Sequence, residues 1–197
     1  MPATRIGIFG GTFDPVHSAH LEVAESVRRA LALDRMLLVV ANQPWQKEGD
    51  RPLTPAEDRY AMVAAAAEDR PNLEVSRLEI DRGGPSFTID TVRRLRRDHP
   101  GADLFLVVGS DVVPTLDTWH EEAALQREVT LAVVGRPGAP PVEPGEGWQA
   151  VQVPVAPSDL SSTDLRPRLE AGEQLDGLVP PAVIRCIAQR GLYATGR

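Results

Sequence analysis

The stretch Ile6–His20, IGIFGGTFDPVHSAH, decides how the rest of the chain is read. Ile6, Ile8 and Phe9 make a short apolar run of the kind that forms a buried strand. Gly10, Gly11 and Thr12 follow: two residues without side chains, then a hydroxyl. Asp14-Pro15 turns the chain, and His17 and His20 stand three apart where a helix begins. Such a strand-turn-helix suits an anion. Glycine lets the main chain approach closely, and N–H groups at a helix start carry partial positive charge. Two imidazoles three apart on a helix share a face, where they donate to phosphate oxygens or take up a proton as negative charge builds.

Working outward, Ser18–Leu33 continues the helix, with Leu21, Ala24, Val27 and Leu31 on one side. Met36–Ala41, MLLVVA, reads as a second buried strand. Strand, helix and strand make a βαβ unit, hence a parallel sheet with a right-handed crossover. The loop Asn42–Pro55 carries Trp45 and Lys47 among prolines and charges. A loop this long directly after a sheet strand is usually functional. Thr54 reads as the cap of the next helix and Pro55 as its first residue, with Tyr60, Val63, Ala64 and Ala67 facing the core.

Leu73–Ile80 alternates apolar and polar residues and predicts a third strand. Arg82-Gly83-Gly84-Pro85 is a turn, after which Ser86-Phe87-Thr88 leads into a helix from Ile89 to Arg97. Asp103–Gly109, DLFLVVG, is a fourth strand, and its end at Gly109-Ser110-Asp111 again opens a helix. Ligands in open α/β sheets bind outside the carboxyl ends of strands. Gly10-Gly11 and Gly109-Ser110 therefore share a crevice if their strands are neighbours, with Trp119 along it. Val129–Val134 is a fifth strand and Val151–Val155 a last short one, separated by an exposed Pro- and Gly-rich loop. Pro180–Arg190 is the closing helix, stopped by Gly191.

The 197 residues suit one domain spanning 1–197, with a C-terminal helical part from about residue 160. A net charge of -7 and a pI near 5.1 argue against a broad nucleic-acid surface, though not against a small anionic substrate. No apolar run approaches the roughly 20 residues of a membrane span, and the N-terminus enters a strand at once, as expected without a signal peptide. The single cysteine, Cys186, excludes an internal disulfide and fits a reducing cytoplasm. Oligomeric state stays open, a homo-oligomer included.

Leu160–Arg166, LSSTDLR, is a second anion-binding pattern. Ser161 and Ser162 cap a helix, Thr163 and Asp164 fill its first turn, and Arg166 adds a two-pronged guanidinium. Either pattern alone is compatible with ordinary capping. Two of them in one chain can grip a single triphosphate from both sides.

GGTFDPVHSAH resembles the nucleotidyltransferase signature G-G-T-F-D-P-x-H-x-G-H, and LSSTDLR resembles the companion motif I-S-S-T-x-[IV]-R. With both present, the chain is similar to bacterial nicotinate-nucleotide adenylyltransferases. Ala19 departs from the signature, which has glycine there. The resemblance implies an α/β fold, a Rossmann-like doubly wound and mostly parallel sheet of about five or six strands with helices on both faces. It also implies an enzyme that transfers AMP from ATP to nicotinate mononucleotide, with Mg²⁺ carried mainly by the ATP phosphates. Alternatives are a related enzyme acting on pantetheine phosphate or nicotinamide mononucleotide, and a nucleotide sensor without turnover.

Residue by residue, the resemblance implies backbone contacts to nucleotide from Gly10, Gly11, Thr12 and Phe13. His17 and His20 act on the α- and β-phosphates, and Ser162, Thr163 and Arg166 on the β- and γ-phosphates. Gly109 and Asp111 match a G-x-D near ribose and adenine, and Arg136 borders the ATP site. On the acceptor side, Lys47 and Trp45 contribute from their loop, Thr88 donates to the nicotinate carboxylate, and Trp119 stacks on the pyridine ring. Each has a plainer reading. The histidines suit a metal site, Thr88 and Asp111 suit helix caps, Trp119 suits the core, and Lys47 and Arg136 suit solvated surface.

Overall fold

The computed structural model describes residues 3–44, 53–135, 138–156 and 158–193. The order of elements is β1 (Arg5–Gly11), α1 (Ser18–Ala30), β2 (Arg35–Val40), α2 (Ala56–Ala67), β3 (Leu73–Ser76), α3 (Leu78–Arg82), α4 (Thr88–Asp98) and β4 (Asp103–Gly109). A 3₁₀ segment (Val113–Thr118), α5 (Glu122–Glu128), β5 (Thr130–Gly135), β6 (Gln149–Pro154), α6 (Ser162–Glu170) and α7 (Pro181–Arg190) follow.

The strands lie in the order β3-β2-β1-β4-β5-β6, and every pair is parallel. This is a doubly wound Rossmann-like sheet. The chain winds outward from β1 in one direction and from β4 in the other, so the switch point lies between those two neighbours. Gly11 and Gly109, at their carboxyl ends, sit where the helical layers diverge.

Strand residues alternate between two cores, as a sheet covered on both faces requires. Met36, Leu38, Val40, Phe105 and Val107 pack with Leu21, Ala24 and Val27 of α1, Met62 and Val63 of α2, and Val183 and Ile187 of α7. Leu37, Val39, Leu104, Leu106 and Val108 face the other way, against Ile89, Val92 and Leu95 of α4 and Leu125 of α5. The apolar side of α1 is the one read from the sequence. The closing helix also ends as expected, with Gly191 left-handed at φ 63°.

Three local readings are corrected. The LEVSRLEI segment is a strand only to Ser76. Arg77 leaves the extended region at φ -95°, ψ 5°, and Leu78–Arg82 is helical. The alternating pattern misleads because Glu79 is buried, where its carboxylate accepts the Thr91 hydroxyl at 2.6 Å. Helix α2 is capped by Pro55, not Thr54, and its core face is wider than read, with Val63 and Ala67 on it as expected. Met62, Val63, Ala66, Ala67 and Arg59 are buried, while Tyr60 and Ala64 are only partly so. The end of β4 leads into a 3₁₀ segment rather than an α-helix; Trp119 caps that segment, and the short helix α5 begins after it. Among the described residues, no helix is long and apolar enough to cross a membrane.

Candidate active site

The carboxyl ends of β1 and β4 open into a cleft of about 810 Å³. The first signature contributes Gly11, Thr12, Phe13, His17 and His20 to its wall. The end of β4 contributes Gly109 and Asp111, and the second signature contributes Ser162, Thr163 and Arg166. Ala19, on the first turn of α1, lines the same cleft.

The two signatures touch. The Ser162 hydroxyl donates to the Pro15 carbonyl at 2.9 Å. Arg166 donates through Nη1 to the Asp14 carbonyl at 2.9 Å and through Nη2 to Thr163 Oγ1 at 3.1 Å. Ser161 is the N-cap of α6, its oxygen accepting from the Asp164 N–H at 3.1 Å. Ser162 therefore occupies the first helical position rather than the cap, and its hydroxyl is committed to the turn.

His17 is the N-cap of α1 and His20 is its third residue. The His17 N–H donates to His20 Nδ1 at 3.2 Å, so a neutral His20 carries its proton on Nε2. The two rings lie 3.7 Å apart between centroids, tilted by 32°. His17 is buried, and burial pushes its pKa from 6.5 down to about 4, so the ring is neutral at pH 7. Its Nδ1 is buried, and the side chain faces the His20 N–H, so that His17 and His20 close a capping box at the start of α1. Among the described residues, no group of three or more His, Cys, Asp or Glu side chains is placed to hold a metal ion.

Gly11 is required by the protein itself, and Gly109 is closely approached by a side chain that can move. A Cβ at Gly11 would lie 2.7 Å from the Phe13 ring, and one at Gly109 would collide with the Asp111 carboxylate. Gly10 differs. Nothing lies within 4 Å of a Cβ built there, and it is exposed outside the cleft wall.

Of the described residues assigned to the acceptor, Thr88 and Trp119 are not among those lining the cleft. Thr88 is the first residue of α4, with Phe87 rather than Thr88 at the cap position. Trp119 packs partly buried on the second core, and its Nε1 is buried without a partner among the described residues. Trp119 thus caps the 3₁₀ segment on the α4 side and is not among the residues of the cleft wall. This region still flanks the site. The Asn42 N–H donates to Ser86 Oγ at 2.8 Å and the Ser86 N–H donates to the Gln43 carbonyl at 2.9 Å, tying the start of α4 to the end of β2. Trp45, Lys47 and Arg136 lie outside the described residues.

One residue escapes the sequence reading. Arg59 is 1% exposed, and its guanidinium donates only to main-chain carbonyls among the described residues: Thr54, Thr12, Ala41 and Asn42. Its spacing from Met62, Val63 and Ala66 places it on the apolar stripe of α2, and that is the available signal.

Fold and site together define a nucleotidyltransferase, and the Cytidylyltransferase-like family model matches residues 8–168. The chain is 42% identical over 192 residues to a "probable nicotinate-nucleotide adenylyltransferase" of Corynebacterium kroppenstedtii, covering 96% of this chain and 90% of that one. It is 43% identical over 194 residues to a protein of the same name from Thermus thermophilus, covering 96% and 99%. The chain belongs to the nicotinate-nucleotide adenylyltransferase family. Its fold matches the nicotinic acid mononucleotide adenylyltransferase of Plasmodium falciparum, solved in complex with NaAD. The TM-score is 0.77 at 19% identity, covering 96% of this chain and 97% of that one.

Proposed function

We propose that this protein transfers the adenylyl group of ATP to nicotinate mononucleotide, giving nicotinate adenine dinucleotide and pyrophosphate in the cytoplasm. The observation that carries the reading is the contact between signatures: Arg166 and Ser162 bond the turn that presents His17 and His20. The family relatives are named for this reaction, which favours the acceptor over pantetheine phosphate or nicotinamide mononucleotide.

The acceptor phosphate is ionised at pH 7 and needs no protein base. One of its oxygens forms a bond to the α-phosphorus while the bond from that phosphorus to the bridging β-oxygen breaks. The electron pair leaves on pyrophosphate. Catalysis is then positioning plus stabilisation of charge on the departing group. The N–H groups of Gly11, Thr12 and Phe13 and the Nε2–H of His20 meet the α- and β-phosphates. The neutral His17 ring accepts a proton or donates a hydrogen bond as negative charge arrives. Thr163 and Arg166 hold the leaving side, and Asp111 borders the ribose. Magnesium enters with ATP as part of the substrate and is carried by phosphate oxygens and water. Gly10, at the open end of β1, leaves room for the acceptor or nucleotide to approach the backbone. Thr88 and Trp119 receive the nicotinate ring, with Trp45 and Lys47 on the acceptor side and Arg136 bordering ATP.

Initial rates of pyrophosphate release test the assignment, with ATP and magnesium against nicotinate mononucleotide, its amide, and pantetheine phosphate. Nicotinate mononucleotide supports the fastest turnover. Faster turnover with either of the others overturns the acceptor assignment, and none with any acceptor overturns the enzyme.

A further inference from the structure

We infer that Arg59 is a positioning residue for nucleotidyl transfer, fixing the anion-binding turn from behind, and that Tyr193 completes this support by holding Asp14. The inference rests on the function proposed above.

The four carbonyls that Arg59 engages come from three places. Nη1 donates to Thr12 at 2.9 Å and to Ala41 at 2.7 Å, Nη2 to Asn42 at 3.0 Å, and Nε to Thr54 at 2.8 Å. One side chain thus joins the turn after β1, the end of β2 and the residue before the α2 cap. A buried guanidinium is costly, and burial lowers its pKa, with the Asp14 carboxylate opposing that shift. A methionine would fill the same stripe without that cost, so stability alone does not account for the choice.

Geometry supplies the reason. A trans peptide carries its C=O and N–H on opposite edges. With the Thr12 carbonyl turned inward to Arg59, the N–H of Phe13 is turned the other way. Phe13 itself is held at φ 52°, a left-handed conformation that costs a non-glycine residue about 1–3 kcal/mol and persists only where surroundings impose it. The Gly11 carbonyl is likewise committed, accepting the Ala41 N–H at 3.0 Å. Arg59 takes up the next carbonyl along, so the turn cannot rotate its carbonyls toward an incoming phosphate.

Asp14 closes the network. Its side chain is buried, and Oδ1 accepts the Tyr193 hydroxyl at 2.6 Å. Tyr193 follows α7, the helix packed on α2, and Arg190 of α7 donates to Asp58 beside Arg59 at 2.6 Å. The end of the described chain therefore reaches back 179 positions to the middle of the first signature.

The test compares Arg59→Lys, Arg59→Met and Tyr193→Phe with the wild type. Thermal midpoint, kcat, KM for both substrates, and Kd for α,β-methylene-ATP are measured per folded molecule. A lysine keeps the charge but cannot span the carbonyls. We expect Arg59→Lys to stay folded and lose about tenfold or more in kcat, with analogue binding about tenfold weaker and Arg59→Met worse. Tyr193→Phe keeps the ring and loses about threefold or more. Should both Arg59 variants fail to fold, Tyr193→Phe carries the test alone. Wild-type kcat and Kd in folded Arg59→Lys, or losses that only track the folded fraction, overturn the inference. A wild type that binds the analogue but turns over no acceptor strikes the proposed reaction, while the binding comparison still judges Arg59.

Discussion

Arg166 donates to the main-chain carbonyl of Asp14 at 2.9 Å, across 152 positions of sequence. The bond makes the two signatures one structure. It also holds the Arg166 side chain in the wall of the cleft, between α6 and α1.

Arg166→Ala is therefore expected to cost activity more than stability. The side chain is only partly buried, so the thermal midpoint moves by a few degrees. kcat/KM for ATP falls by about 10²-fold, the usual loss when one preorganised donor to developing charge is removed. A large drop in midpoint with unchanged kinetics of the folded enzyme contradicts the assignment.

His17 makes stability depend on pH in a stated direction. Its folded pKa is about 4 against an ordinary 6.5, so between those values the unfolded chain binds more protons. The contribution is full above 6.5 and drains as pH falls toward 4, amounting to about 3 kcal/mol. Urea unfolding of wild type and His17→Asn at neutral and acid pH checks this. The wild type loses more stability on acidification, and equal losses in both proteins refute the burial argument.

The glycine pair separates protein constraints from ligand constraints. Gly11→Ala drives a methyl into the Phe13 ring and costs about 1–3 kcal/mol of stability. Gly10→Ala meets nothing and leaves the midpoint unchanged. If Gly10→Ala also loses activity, a ligand approaches it closely. Equal midpoints for the two variants contradict the packing described.

Thr88→Ala and Trp119→Ala are expected to raise KM for nicotinate mononucleotide by about tenfold and to spare KM for ATP, consistent with about 1–3 kcal/mol for stacking on an aromatic ring. Steady-state kinetics with each substrate varied in turn decide it. An unchanged acceptor KM in both variants removes these residues from the site.

Much of this is legible in sequence because period and punctuation agree. IGIF runs into glycine and DLFLVVG ends in it, and the shared crevice read conditionally from them holds because β1 and β4 pair. What is not legible depends on tertiary partners. Arg59 looks like any charged helix residue until the carbonyls of Thr12, Ala41 and Asn42 converge on it. Glu79 disguises a helix as a strand because its burial depends on Thr91, twelve residues later. Thr54 matches the sequence pattern of a helix cap, but its carbonyl is held by Arg59 and Pro55 takes the cap position.

The central claim is that both signatures act on one triphosphate, and a double-mutant cycle measures it directly. His20→Ala, Arg166→Ala and the double variant are compared in kcat/KM for ATP-dependent pyrophosphate release with nicotinate mononucleotide. Shared action predicts a coupling of about 1 kcal/mol or more, so the double variant loses at least about fivefold less than the product of the single losses. Losses that multiply, additive within about 0.3–0.5 kcal/mol, would mean the two signatures work on separate things.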